Sequence, residues 1–176
     1  NKHREMYNES KPLMGLLCEI GVPVPKPFLD AAALVLSADL QKAFCEREIN
    51  VKAIEDMTAT LRKFCIIPGS VELELAARRA LERTMCAFCE EPLNQERLAG
   101  VGQLIRLVQS MPSVDVNLWQ VQNEFFRVAR QEYLQLITKL GKETAQEWAS
   151  LFGHVGTMLS FNLQTLIGKT EEEIYG

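Results

Sequence analysis

NLWQVQNEFFRVARQEYLQLITKL, residues 117–140, is the stretch that decides the fold class of this chain. Its apolar residues recur at intervals of three and four, which is the spacing of one face of an α-helix. The apolar face spans about half of the circumference, which is wider than a surface helix needs. Asn117 can cap the helix and Gly141 can end it. The stretch therefore predicts one long central helix that contacts at least two neighbours.

Capping and helix-ending residues divide the rest of the chain into further helices. Ser10, Asn50, Ser70 and Asn94 can cap helices, and glycine or proline follows most of the apolar-periodic segments. The predicted helices run from about 10 to 20, 27 to 44, 51 to 66, 70 to 90, 94 to 110 and 143 to 167. No stretch alternates apolar and polar residues as a strand does. The sequence predicts an all-α fold of six or seven helices in an irregular orthogonal or bundle-like array.

The domain organisation follows from the length of 176 residues. Domains usually contain about 100–200 residues, so we expect a single helical domain over residues 1–176. Residues 1–9 and 169–176 are expected to be flexible ends. The chain begins with asparagine rather than methionine, which suggests a C-terminal fragment of a larger polypeptide.

The composition argues against several classes of function. Lys and Arg number 19 against 23 Asp and Glu, so the net charge is −4, and neither half of the chain is basic. A nucleic-acid-binding surface would carry a basic patch, so no nucleic-acid partner is predicted. No apolar run approaches the roughly 20 residues of a membrane span, and no signal peptide is recognisable. The 5 scattered cysteines do not form a dense disulfide framework, so we predict a cytoplasmic location and no membrane partner.

Cys86 and Cys89 form a CxxC motif, which is typical of zinc sites and of redox pairs. A structural zinc site needs four ligands, but the chain has no second CxxC, and its histidines are His3 and His154. Both cysteines are placed near the C-terminal end of the helix that begins at Ser70, where the helix dipole disfavours a thiolate. We therefore interpret them as incidental thiols, and we predict no metal and no cofactor.

The histidines do not form the arrangement of a catalytic nucleophile. A Ser–His or Cys–His pair requires a histidine held by packing. His3 lies near the N-terminus, and His154 projects away from the apolar stripe of its helix. No catalytic residue is predicted for this chain alone.

Glu132 is the candidate buried carboxylate, because it projects into the middle of the apolar face of residues 117–140. An unpaired buried carboxylate is strongly unfavourable or has a raised pKa, so a partner is expected. One interpretation is an ion pair or a hydrogen bond with another helix. The other is a general acid or a ligand-binding carboxylate in a pocket between helices.

Trp119, Asn123, Phe126, Arg130 and Tyr133 form the candidate ligand or interdomain contact, because they recur at helical spacing along one side of the same stretch. Aromatic rings together with amide and guanidinium donors can bind a sugar or a partner protein. The alternative is that the three aromatic residues form a second wall of the core and the two polar residues line its edge.

Two segments resemble a known family. They are residues 21–28, GVPVPKPF, with the alanine-rich helix that follows, and residues 116–123, VNLWQVQN. Both are similar to segments of an uncharacterised helical domain that lies C-terminal to catalytic domains of the glycoside hydrolase family 57 type, in bacterial proteins related to alpha-amylases and alpha-mannosidases. The resemblance implies a parent that acts on α-linked glucans or related sugars, as a glycoside hydrolase or glucanotransferase. Its catalytic carboxylates would lie upstream, so no catalytic residue is implied here.

The residues and the resemblance together lead us to expect a non-catalytic accessory domain that packs on or covers the catalytic domain of a carbohydrate-active polypeptide. Its expected partners are that upstream domain and a glycan. Two other functions are open. One is a free-standing helical module that binds a partner protein or a second copy of itself, and the other is a small ligand-binding domain that uses Glu132.

Overall fold

The computed structural model describes residues 2–69 and 71–162, and every regular element within them is an α-helix. Eight helices lie in these ranges: α1 Lys2–Glu19, α2 Lys26–Cys45, α3 Val51–Lys63, α4 Val71–Glu90, α5 Gln95–Gln109, α6 Trp119–Gln131, α7 Tyr133–Lys139 and α8 Lys142–Met158. The predicted all-α class is therefore confirmed, and the predicted number of six or seven helices is too low.

The predicted helix over residues 117–140 is two helices, because the backbone leaves helical geometry at Glu132. Glu132 has φ −120° and ψ −24°, and it lies between α6 and α7. Beyond the break, Tyr133 packs on Trp148 and Phe152 of α8, with ring centroids 5.7 and 5.5 Å apart. This contact with another helix gives a physical reason for the break.

The chain divides into two compact units. The first unit comprises Asn1–Ala80 and Leu107–Val116, and the second comprises Leu81–Arg106 and Asn117–Gly176. Residues of α4 and of α5 therefore belong partly to one unit and partly to the other. The single domain expected over residues 1–176 stays a prediction.

In the first unit, α1 packs on α2 and α2 packs on α3. The largest fully buried side chains there are Met14, Leu40, Phe44, Ile54, Leu61 and Leu73. Arg4 of α1 donates two hydrogen bonds to the Asp39 carboxylate of α2, at 2.9 and 2.6 Å. This unit is therefore held mainly by aliphatic packing.

The first helix begins earlier than predicted, at Lys2 instead of after Ser10. Tyr7 and Ser10 are buried, and the Ser10 hydroxyl donates to the carbonyl oxygen of Met6 at 2.7 Å, so it does not cap a helix. Burial of Tyr7 explains why the helix extends to this end. Residues 2–9 belong to α1, and the expectation that residues 1–9 form a flexible end stays a prediction.

Two of the predicted asparagine caps are confirmed. The Asn50 side chain accepts a hydrogen bond from the backbone N–H of Ala53 at 3.0 Å. Asn94 accepts from the N–H groups of Glu96 and Arg97, at 3.1 and 3.2 Å. Such bonds satisfy backbone donors that have no partner within a helix. The predicted cap at Ser70 lies outside the described residues, as does the predicted flexible end at 169–176.

Three helices end in a Schellman motif, which places one residue in the left-handed region after the helix. These residues are Gly21 after α1, Cys65 after α3 and Ser160 after α8, with φ of 70°, 52° and 66°. Glycine adopts this conformation without strain, whereas other residues disfavour it.

The turn after α8 ends that helix before the predicted limit at residue 167. The N–H of Phe161 donates to the carbonyl oxygen of Gly156 at 2.9 Å, and the N–H of Ser160 donates to Thr157 at 3.0 Å. The helix therefore ends at Met158. Residues 163–176, with the helix end predicted at Ile167 and Gly168, lie outside the described residues.

Aromatic rings dominate the core of the second unit. Phe152 stacks on Phe125 and on Trp148, with ring centroids 4.3 and 4.8 Å apart. The Trp148 indole also donates a hydrogen bond from Nε1 to the carbonyl oxygen of Pro92 at 2.8 Å. Because aromatic pairs prefer particular ring arrangements, these contacts fix α6 and α8 in register.

Candidate interaction surface

The position of α6 in the second unit follows from its apolar face. Val121, Phe125, Val128 and Ala129 are buried. The Asn117 side chain accepts a hydrogen bond from the N–H of Trp119 at 2.8 Å, at the residue where the helix starts. The opposite side of α6 therefore faces away from the core of this unit.

Trp119, Asn123, Phe126 and Arg130 lie on that opposite side, and we call these four residues the aromatic face of α6. Trp119 is 68% exposed and Phe126 is 39% exposed, and Asn123 is exposed as well. The alternative that Trp119 and Phe126 form a second wall of the core of this unit does not fit these exposures. The structure instead brings together four of the five predicted contact residues on one surface.

Contacts within the second unit hold part of the aromatic face in place. The Arg130 guanidinium carbon lies 5.9 Å from the centroid of the Phe126 ring, which is a cation–π distance. The Phe161 ring lies 6.1 Å from Phe126 and 5.8 Å from Phe125. Phe126 is therefore positioned by neighbours, while most of the Trp119 indole remains open to a ligand.

Tyr133, the fifth predicted contact residue, does not belong to the aromatic face. It lies beyond the break at Glu132 and is half-buried against Trp148 and Phe152. Its prediction as a contact residue assumed an unbroken helix. The observed packing places it with the aromatic core.

Glu132 is not buried within the apolar face of residues 117–140, as was predicted. Its side chain is 32% exposed, and Oε1 accepts a hydrogen bond from Arg127 Nη1 at 2.7 Å. Arg127 also binds Glu124, at 3.1 Å from Nε. The hydrogen bond with Glu124 raises the pKa of Arg127. The structure therefore gives Glu132 an ion pair, but the partner lies on the neighbouring α6 and not on a distant helix.

Arg127, which joins Glu124 and Glu132, was not among the residues predicted from the sequence. The spacing of three residues from Glu124 to Arg127 is a recognised pairing distance on a helix and was an available signal. The second half of the pairing depends on the break at Glu132, so no spacing rule predicts it.

Cys86 and Cys89 lie on the last turns of α4, as expected. Cys86 is exposed and Cys89 is half-buried. Burial raises the pKa of the Cys89 thiol to about 11, and the nearby Arg127 offsets this only in part. The Cys89 thiol is therefore protonated at neutral pH. Among the described residues no group of three or more His, Cys, Asp or Glu side chains is arranged to hold a metal ion.

The two histidines occupy exposed positions, His3 on α1 and His154 on α8. His154 lines an open depression together with Glu143, Glu147 and Ser150. Neither histidine is held by burial in the way that a catalytic base usually is.

Comparison of the chain with protein-family models, with curated proteins and with solved structures found no match. Among the described residues, no helix is both long enough and apolar enough to cross a bilayer.

Proposed function

We propose that this chain is a non-catalytic accessory domain that packs on the catalytic domain of a carbohydrate-active polypeptide, and that the aromatic face of α6 is its contact surface. The observation that carries the proposal is the exposure of Trp119, which is 68% accessible beside Phe126. The association with glycoside hydrolases of the family 57 type rests on the resemblance of residues 21–28 and 116–123.

The exposed indole supplies the energetic reason for a contact. A buried tryptophan removes about 150–250 Å² from water, at about 25 cal/mol per Å². Covering the accessible part of Trp119 would therefore stabilise a complex by roughly 3 kcal/mol. Trp and Arg are also the residue types enriched at the energetic centres of interfaces. Trp119 and Arg130 thus match the composition of a contact surface.

The polar members of the aromatic face suit a partner with hydroxyl or carbonyl groups. The Asn123 amide can donate and accept hydrogen bonds, and the Arg130 guanidinium donates them. These groups flank the Trp119 and Phe126 rings on one side of the helix. The catalytic domain upstream is the proposed partner, and a glycan bound between the two domains would meet the same groups.

The test uses the polypeptide encoded by the complete reading frame. Trp119→Ala should lower hydrolysis or transfer of an α-glucan at least about tenfold, since a tryptophan at an interface centre contributes roughly 2 kcal/mol or more. Circular dichroism should show unchanged helix content. Val71→Ala, which removes a 78% exposed apolar side chain of the first unit, is the control and should leave activity unchanged.

Two results would contradict the proposal. Full activity of Trp119→Ala would exclude this surface as the contact, and loss of helix content would show that Trp119 supports the fold. A complete reading frame without an upstream catalytic domain would contradict the accessory role itself.

The second candidate function is a free-standing helical interaction module. The first unit favours it, because several large aliphatic side chains are exposed there: Leu13, Leu16, Ile20, Val22, Leu34, Ile67 and Val71. Sedimentation of the purified chain distinguishes the two functions. A self-associating chain whose dimer is disrupted by Ile20→Ala and unaffected by Trp119→Ala would favour the module.

A ligand-binding role for Glu132 has less support. Its carboxylate is already bound to Arg127, and the neighbouring cleft is lined by Arg127 and not by Glu132.

A further inference from the structure

A cleft of about 300 Å³ lies within the second unit, between the C-terminal half of α4 and the first turns of α6. Met85, Cys86 and Cys89 contribute its α4 side, and Glu124 and Arg127 belong to its α6 side. Three sulfur-bearing side chains within two turns of one helix therefore line a single cavity. The proposed function makes no use of this cleft.

The chemistry of the α4 side is that of soft ligands. Thiolate and thioether sulfur select copper(I), zinc and iron–sulfur clusters, whereas carboxylates and carbonyls suit magnesium, calcium and manganese. Met85 is 1% exposed, Cys89 is half-buried and Cys86 is exposed, so sulfur-bearing side chains line both buried and accessible parts of the cleft.

The spacing of the two cysteines favours a bridging ion over a disulfide. Side chains three residues apart on a helix have Cβ atoms about 5–6 Å apart. A disulfide requires Cβ atoms about 3.5–4.5 Å apart, so α4 would have to distort. Two metal–sulfur bonds as long as a zinc–thiolate bond, about 2.3 Å each, place the two sulfurs about 4.6 Å apart when the ion lies between them. Both cysteines line the same cleft.

Both acidic and basic side chains line the cleft, namely Glu82, Glu90, Glu124 and Arg127. Arg127 pairs with Glu124 and Glu132, at 3.1 and 2.7 Å, and Glu90 lies 3.8 Å from Arg97. Recognition of a metal ion in this cleft therefore depends on the sulfur atoms and not on the surrounding charges.

We infer that Cys86 and Cys89 together bind a soft monovalent cation of the copper(I) class in this cleft. Both thiols lose a proton and two metal–sulfur bonds form, so one cation and two neutral thiols give a bis-thiolate complex with one negative charge and two released protons. Arg127, which lines the same cleft, places a positive charge near that complex. No electron is transferred in this step.

Two thiolates are sufficient for such an ion but not for zinc. A structural zinc site has four ligands in a tetrahedron, and the described residues contain no group of three or more suitable donors. The inference is therefore specific to ions that accept two sulfur ligands. The interpretation of Cys86 and Cys89 as incidental thiols considered four-ligand zinc sites and redox pairs, and a two-ligand site meets neither description.

The experiment titrates the reduced full chain with copper(I), without oxygen, against a coloured copper(I) chelator. One equivalent should bind with a thiolate-to-metal absorption band in the near ultraviolet. Cys86→Ser and Cys89→Ser should each weaken binding at least about 100-fold, because loss of a direct ligand exceeds the 10–100-fold cost of losing an outer-shell partner.

The control variants are Cys45→Ser and Cys65→Ser, which remove exposed thiols of the first unit and should leave the affinity unchanged. Zinc(II) in the same assay should not compete. Equal affinity of Cys86→Ser, Cys89→Ser and the unaltered chain would overturn the inference. Equal weakening by the control variants would do the same, since it would mean that copper(I) binds scattered thiols.

Discussion

The two units are both built from α-helices but fill their cores with different side chains. The first unit buries mainly aliphatic residues, with Phe44 as its largest fully buried side chain. In the second unit, Phe152 contacts four other rings, those of Phe88, Phe125, Tyr133 and Trp148. Aliphatic packing depends mainly on volume, whereas ring contacts also depend on orientation. The second unit therefore specifies the positions of its helices more tightly.

The surfaces of the two units differ in the same way. The first unit exposes aliphatic side chains on several helices, including Leu16, Leu34 and Val71. The second unit exposes Trp119 and Phe126 on one side of α6. Scattered aliphatic residues are usual on protein surfaces, whereas two exposed aromatic residues on one side of a helix form a candidate contact surface. The second unit thus contains both the core of stacked aromatic rings and the candidate contact surface.

The largest expected difference concerns the two buried phenylalanines. Phe152→Ala and Phe44→Ala both empty a site that is 0% exposed, so each should destabilise the chain by about 3–5 kcal/mol. Phe152→Ala should lie at the upper end, because it also removes ring contacts that contribute about 0.5–1.5 kcal/mol each beyond burial. Urea unfolding followed by circular dichroism measures both. A larger loss of stability in Phe44→Ala than in Phe152→Ala would contradict the conclusion that ring contacts make the second unit more specifically packed.

The helical pattern of the sequence predicted most of the fold, because helix periodicity and capping are local properties. Asn50 and Asn94 cap their helices through bonds to N–H groups two or three residues away, so adjacent sequence is enough to predict them. The all-α class follows from the same spacing along the chain.

The predicted helix bounds are wrong where contacts with residues distant in sequence outweigh the local helical periodicity. The break at Glu132 accompanies the packing of Tyr133 on Trp148 and Phe152, which lie on another helix. The early start of α1 accompanies the burial of Tyr7. Neither contact is visible in a periodic pattern, because periodicity identifies the buried side of a helix but not its partner.

The candidate surface likewise depends on contacts between helices that helical periodicity does not reveal. The spacing from Trp119 to Tyr133 predicted one side of one helix but left open whether it was core or surface. Only the arrangement of the helices places Trp119 outside the core of the second unit and Tyr133 within it. The cleft beside Cys86 was also unpredictable, because Glu124 and Arg127 come from α6 and the cysteines from α4.

The next largest loss of stability is expected when a helix cap is removed. Asn94→Ala in the second unit should destabilise the chain by about 1–2 kcal/mol, and Asn50→Ala in the first by about 0.5–1 kcal/mol. The difference is expected because Asn94 accepts two backbone hydrogen bonds and also donates to Glu91 at 3.3 Å, whereas Asn50 accepts one. Thermal unfolding of the two variants measures the order. Equal losses would show that the second bond of Asn94 contributes nothing.

Cys65 and Ser160, which follow α3 and α8, have backbones in the left-handed region, so glycine at either position should stabilise the chain. In the left-handed region a residue with a side chain is about 1–2 kcal/mol less favourable than glycine, and Cys65→Gly and Ser160→Gly remove this strain. Glycine also raises the conformational entropy of the unfolded chain, which lowers stability by about 0.4–1 kcal/mol. The net gain should be about 0.5 kcal/mol in each unit, measured by urea unfolding.

Gly21→Ala is the matched control for these two variants. Its added methyl group would meet no atom within 4 Å, so only its φ of 70° opposes the change. It should therefore destabilise the chain by about 0.5–1 kcal/mol. Destabilisation by Cys65→Gly or Ser160→Gly would show that the lost side chain matters more than the backbone strain.

The smallest effect at neutral pH is expected for Tyr7→Phe in the first unit. Burial, and to a lesser extent the Asp39 carboxylate, raise the pKa of the Tyr7 phenol above its ordinary value of 10.0. Lys11, whose Nζ lies 5.7 Å from the ring centroid, is the neighbouring cation. Because the folded chain holds the proton more tightly, the stability from Tyr7 is fully present below pH 10.0 and is lost as pH rises through the higher folded pKa. The free energy of unfolding of the unaltered chain should therefore fall more steeply above this pH than that of Tyr7→Phe. Parallel curves for the two proteins would mean that Tyr7 titrates equally in the folded and unfolded chains.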